Sequence, residues 1–149
     1  MSRLLPHLRY GRHVVLHKWF VLLAGLKTGA PIWRLIIHDW SKFTPAEWGP
    51  YVRHFYDKDR ERPGELDAAW LHHWSHNPHH WQFWAARNGL ESRTVLESYA
   101  REMVADWMGA GRAITGRCEV AEWYEKNVDK MTLHPWTRKL VERLIAECS

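Results

Sequence analysis

The residues of this chain best equipped for chemistry are its 11 histidines and a few aspartates set in apolar surroundings. His38 and Asp39 are adjacent and follow the stretch Ile32-Trp33-Arg34-Leu35-Ile36-Ile37. Adjacent side chains can face one ion only where the backbone holds them in a special place, typically a helix end. An unpaired carboxylate in so apolar a segment would be costly. A bound cation is one compensation. An Asp39–Lys42 ion pair at i,i+3 is the simpler one. Upstream, His17 lies on a stripe with His13 and Val21 at helical spacing. Downstream come His72, His73, His76, His79 and His80, and then Asp106, on a stripe with Val95, Tyr99 and Met103.

Imidazole and carboxylate together suit Mn, Fe, Co, Ni or Zn, and a set without cysteine leaves positions open for water or substrate. The candidate ligands for one or two such ions are His17, His38, Asp39, His73, His80 and Asp106. His73 and His80 are chosen from the cluster because they fall on apolar stripes. His72 and His79 are read as groups that orient carboxylates or bind phosphate, and His76 as a bystander. Arg112, beside Gly109-Ala110-Gly111, is a candidate phosphate contact. Each has a plainer reading. His17 could be a hydrogen-bonded core residue, Asp106 a salt-bridge partner, Lys42 and Arg112 surface cations. The histidines among Trp70, Trp74, Trp81 and Trp84 could form an aromatic core edge.

The order His17, His38-Asp39, Asp106 resembles the HD superfamily of metal-dependent phosphohydrolases, and His38 to Lys42 looks like its HDxxK form. The segments His38 to Phe43 (HDxSKF), His72 to His80 (HHxxxNxHH) and Glu102 to Trp107 (EMxxDW) are similar to those of a phage and prophage family of unknown function. The resemblance implies an HD-like helical fold and a His-Asp metal site, with Lys42 near a substrate phosphate and Asp39 and Lys42 as the catalytic pair. Extra histidines imply a dinuclear form, and HD-like proteins often form homodimers. It further implies hydrolysis of a nucleotide-like phosphate ester or anhydride by a metal-activated water. Two other functions fit the same residues: a di-iron oxygenase of the HD type, and a non-enzymatic phage accessory protein that binds nucleic acid or protein.

The elements that must position these residues read as helices throughout. Apolar periodicity marks helices near His13–Lys27, from Pro31 into the His-Asp pair, from Thr44 to Tyr56, and from Glu65 to His76. It marks others from Asn77 to Gly89, from Thr94 to Trp107, over Glu119–Lys126, and from Pro135 onward. Thr44–Glu47 and Thr94–Glu97 read as capping boxes, and Gly109–Arg112 as a flexible turn. The expectation is one compact all-α domain over residues 1–149, of about seven or eight helices, led by a basic arm at 1–12. The second helix, apolar nearly all round, should be central.

Composition bounds the rest. The formal charge of +4 suits an anionic substrate, which the resemblance makes a phosphate-containing one, but does not by itself favour nucleic acid. With two cysteines and no CxxC, a cysteine zinc site is excluded and a disulfide scaffold is not expected. No apolar run is long enough to span a bilayer, and a cytoplasmic location is the expectation.

Overall fold

A computed structural model describes residues 4–85 and 91–148. Their secondary structure is helical, with no strand among them. Seven α-helices follow in order: α1 Leu4–Thr28, α2 Ile32–Ile37, α3 Pro45–Tyr56, α4 Glu65–His76, α5 Glu97–Thr115, α6 Val120–Asn127 and α7 Pro135–Cys148. Short 3-10 turns cover Trp40–Phe43, Lys58–Arg60, Trp81–Phe83 and Val128–Lys130. No described helix is long and apolar enough to cross a membrane.

The longest helix, α1, faces two cores. One is built by Val21, Leu35, Met103, Val104, Leu140, Val141 and Leu144 from α1, α2, α5 and α7. The other joins Tyr10 and Val14 of α1 to Tyr51 and Val52 of α3 and Ala69 of α4. His17 lies between them on the inner face of α1, one turn after Val14 and one before Val21. Burial of the surrounding apolar side chains, worth roughly 1.5–3 kcal/mol each, holds the polar residue in place.

Several boundaries differ from the sequence reading. Residues 4–12 are not an arm but the first turns of α1. Asn77 does not cap a new helix: it ends α4, and its amide bonds the His73 carbonyl at 2.7 Å and Ser41 Oγ at 2.6 Å. The segment after it is turns and a 3-10 piece; Gly89, the expected helix stop, lies outside the described residues. Neither capping box forms. Thr44 Oγ1 donates to the Ser41 carbonyl, Glu47 turns inward, and α5 begins at Glu97.

The second helix is not central either. Of its six residues only Arg34 and Leu35 are buried, while Ile32, Trp33, Ile36 and Ile37 are exposed. A helix this short is covered where Leu35 meets Gly25 of α1 and where Arg34 meets Glu102 and Tyr99 of α5.

Gly109–Arg112 is likewise not a turn, since α5 continues to Thr115. Gly109 is where α1 and α5 touch: a Cβ there would lie 2.6 Å from the Val21 nitrogen. Gly111, two residues on, would meet only the Arg117 carbonyl, at 3.7 Å. Gly109→Ala is therefore expected to cost about 1–3 kcal/mol by forcing the helices apart. Gly111→Ala should be neutral or stabilising by up to about 1 kcal/mol, through helix propensity. Urea unfolding of the two variants checks the contrast; equal effects would mean that α1 and α5 do not make this contact.

Candidate metal centre

The His-Asp pair sits at a break in the backbone. His38 ends α2, and Asp39 adopts a left-handed conformation at φ 54°, the only described non-glycine residue to do so. Such a conformation costs about 1–3 kcal/mol and persists only where surroundings enforce it. Lys18 of α1 does part of this, donating to the Ile36 carbonyl at 3.2 Å and to the His38 carbonyl. The turn sends both side chains inward, so that His38 and Asp39 are each 1% exposed.

Around Asp39 two sets of donors gather, one on each carboxylate oxygen. Near Oδ2 lie His17 Nε2 at 3.2 Å, His38 Nε2 at 3.4 Å and Lys42 Nζ at 2.5 Å. Asp106 Oδ1 closes this set, 3.2 Å from His17 and 3.3 Å from His38. Near Oδ1 lie His79 Nε2 at 3.3 Å and His73 Nε2 at 3.4 Å. His80 Nε2 is 2.9 Å from His73 Nε2. His17, His38, Asp39 and Asp106 form one group able to hold a metal ion, and Asp39, His79 and His80 another.

The ring nitrogens explain why an ion suits this place. His38 Nδ1 bonds Glu102 Oε1 at 2.9 Å, His79 Nδ1 bonds the same oxygen at 3.1 Å, and His73 Nδ1 bonds Glu47 Oε2 at 2.8 Å. A neutral imidazole that donates through Nδ1 carries a lone pair on Nε2. Three Nε2 lone pairs are thereby aimed at Asp39. Lone pairs and carboxylate oxygens cannot satisfy one another, and Asp39 Oδ1 and His79 Nε2 indeed have no hydrogen-bond partner. Only a proton or a cation between them resolves the contact. Carboxylates behind ligating histidines are the usual way of fixing tautomer and ring direction.

Charge points the same way. Four carboxylates are buried here: Asp39, Glu47, Glu102 and Asp106. Apart from histidine, two cations touch them: Lys42 on Asp39, and Arg34, whose Nε is 2.7 Å from Glu102 Oε2. Four negative charges against two leaves a deficit of two positive charges. Burial alone would raise Asp39 and Asp106, but the surrounding histidines, with Lys42 beside Asp39, hold both well below the usual range. Glu102 is held at about 2, its burial outweighed by His38 and His79. Burial lowers His17, His38 and His79, and the carboxylates more than reverse it. His80, beside His79 and His73 and away from a carboxylate bond, is driven well below its ordinary value, first by burial.

All six expected ligands thus meet at one place, and Lys42 with them. His79 is also there, with its Nε2 in the centre rather than in a supporting role. His72 touches a carboxylate, as expected of it: it bonds Glu47 Oε1 at 2.7 Å, behind the centre, and stacks on His76 at 4.0 Å. One expected residue is elsewhere. Arg112 is exposed in the last turn of α5, its guanidinium over Phe20. Sequence reasoning missed the roles of Glu47, read as a cap, and of Glu102. The signal for Glu102 was its place one turn before Asp106 on one buried stripe.

A cavity of about 660 Å³ opens over the centre. Asp39, Lys42, Asp106, His17, His73 and His80 lie along it, under walls that include Trp70, Trp81, Trp107 and Trp123. Three polar atoms without partners belong to lining residues: Asp39 Oδ1, the Tyr10 hydroxyl, on a residue 3% exposed, and Gln82 Oε1.

Glu102→Gln keeps every candidate ligand but replaces the carboxylate that orients His38 and His79. Metal affinity is expected to fall about 10–100-fold, measured by competition with a chelating dye. The pH response has a definite sign. Asp39, Asp106 and Glu102 sit below ordinary values of 3.8, 3.8 and 4.5, so they stabilise above those values and less as pH falls through their folded-state values. His17, His38 and His79 sit above 6.5, so their contribution is full below it and lost as pH rises through the raised values. Chelator-treated protein should therefore melt highest between about pH 4.5 and 6.5. An added divalent ion must displace imidazole protons, so the rise it produces should grow from about pH 6 to 8. A rise independent of pH would show that the ion binds elsewhere.

No curated protein and no solved structure matches the chain. The family described as "Family of unknown function (DUF5662)" matches residues 7–147, and the chain belongs to that family.

Proposed function

We propose that the protein is a metal-dependent phosphohydrolase acting on a nucleotide-like phosphate ester or anhydride. The observation that carries this reading is the division of Asp39: one oxygen faces His17 and His38, the other His73 and His79, at the mouth of an aromatic cavity. Those residues, with Asp106 and His80, would hold one or two divalent transition ions of the series Mn to Zn. When bound, such ions polarise a phosphoryl oxygen and lower the pKa of a water molecule towards neutrality.

The chain's own residues supply the rest. Asp39 orients the attacking water, which gives up its proton to solvent through the open cavity. Lys42, bonded to Asp39 Oδ2, offsets charge that builds on the phosphoryl oxygens. Glu102 and Glu47 keep the imidazoles directed. Trp70 and Trp81 offer flat faces to a base or other planar group. The Tyr10 hydroxyl, unpaired and close enough to Asp39 to feel its charge, donates to the substrate. The apolar walls favour a substrate with one compact anionic end and a larger planar or apolar body.

Elemental analysis of protein purified without added metal comes first, then turnover of nucleoside mono-, di- and triphosphates and cyclic dinucleotides with Mn²⁺. Asp39→Asn is expected to reduce phosphate release at least about 100-fold, and Lys42→Ala about 10²–10³-fold, with the helical circular dichroism signal of each variant as the control for folding. Tyr10→Phe should raise KM with less effect on kcat and leave metal content unchanged. Absence of a bound transition metal, with no rise in melting temperature on adding Mn²⁺, would remove the reading. Two irons per chain with substrate-dependent O₂ uptake would replace hydrolysis by oxygenation.

A further inference from the structure

The outer face of α1 is as apolar as its inner face. Leu5, Leu8, Val15, Trp19 and Leu26 are exposed at 40%, 59%, 63%, 54% and 58%. With Arg12 and the partly buried Leu22 they form the series 5, 8, 12, 15, 19, 22, 26, in alternating steps of three and four. That is the spacing of a seam onto which another helix packs. It runs for roughly 30 Å along α1, at about 1.5 Å per residue. Leu4 and Leu23, also exposed, widen it, and beside it α2 leaves Ile32, Trp33, Ile36 and Ile37 uncovered. An exposed apolar surface of this extent is unusual for a monomer.

We propose that this stripe is a self-association surface, on which α1 of a second copy packs antiparallel about a two-fold axis near Val15 and Leu16. Two features choose a second copy and its direction. First, the stripe contains one charge, Arg12, and one large aromatic, Trp19, placed symmetrically about that axis. An antiparallel pair sets each Arg12 against Trp19 of the other copy, a cation–aromatic contact. Leu5 then meets Leu26 of the second copy, and Leu8 its Leu23. Val15 likewise meets Leu16 of the second copy, while Leu22 lies opposite Arg9 and Leu4 opposite Lys27, whose alkyl stems cover the leucines. Second, α1 contains no acidic residue, and its Arg9, Arg12 and Lys27 would repel in a parallel pair. The antiparallel arrangement moves like charges apart along the helix and stacks none on its own copy.

Sedimentation equilibrium of the full chain over about 1–100 µM tests this, together with cross-linking by a short bis-maleimide in a Cys118→Ser, Cys148→Ser background. The wild type is expected to be a dimer. Trp19→Glu should raise the dissociation constant at least tenfold and keep the helical circular dichroism signal, since Trp19 contributes to no core. Arg12→Glu, at an exposed position, should weaken the dimer in the same direction and is the second probe if Trp19→Glu misfolds. Val15→Cys is expected to cross-link between copies, and Leu5→Cys not to, because the two Leu5 positions lie at opposite ends of the paired helices. The proposal is overturned by a monomeric wild type, by a dimer indifferent to both substitutions, or by efficient cross-linking at Leu5→Cys. It is also overturned if the wild type is monomeric and co-sediments with phosphatidylcholine–phosphatidylglycerol vesicles, which would make the stripe a lipid-facing surface.

Discussion

The structure depends on one carboxylate. Asp39 is fully enclosed, in a backbone conformation that costs energy, with both oxygens facing imidazole nitrogens. Its position is over-determined from several directions: Lys18 grips the carbonyls at the end of α2, Lys42 bonds Oδ2, and helices α1 and α4 bring their histidines to it. Strain of this kind survives where neighbouring contacts outweigh it, and it tends to mark functional positions. Take Asp39 away and the surrounding imidazoles lose the anion that gathers them.

A buried polar assembly of this size is stable only if its outer atoms are satisfied. That is the task of the carboxylates behind the histidines. Glu102 serves His38 and His79 with one oxygen and takes Arg34 on the other, and Arg34 in turn lies 3.6 Å from the Tyr99 ring. Glu47 serves His73 with one oxygen and His72 with the other. The unsatisfied atoms are thereby concentrated at the inner face of the assembly, around Asp39 and His79. Polar satisfaction outside and deficiency inside is the pattern expected of a site completed by a cation.

The parts of this centre legible in the sequence were those whose residue type clashes with their stripe. His17 between Val14 and Val21, Asp106 after Met103, and His38-Asp39 after five apolar neighbours all carried that contradiction. Helix α4 was legible too, because Gly64 and Asn77 bracket it. What could not be read was anything set by contacts between helices. Glu47 fits a capping box by spacing, and only the approach of α4 turns it towards His73. Gly109 and Gly111 look alike as a flexible pair, yet one lies against Val21 and the other faces open space. Arg112 followed them into error once the turn proved to be helix. Choosing among five histidines by stripe passed over His79, whose Nε2 faces Asp39, and picked His80 by a phase that has no meaning there, because the chain after Asn77 is not helical.

The apolar excess of α1 and α2 bears on the centre itself. A metal site needs its ligands held to within a fraction of an ångström. His17 rides on α1, and His38 closes α2, the short helix that α1 supports. Inside, α1 is fixed by two cores separated by His17, and it touches α5 closely at Gly109. Outside, the same helix presents leucine, valine and tryptophan to solvent. A monomer gains nothing from that face and takes on a liability to aggregate. A partner helix along it would brace α1 from the opposite side to α5, with His17 on the supported span between. The seam and the metal centre would then be two faces of one helix, and rigidity gained on the outside would be felt by the ligand on the inside.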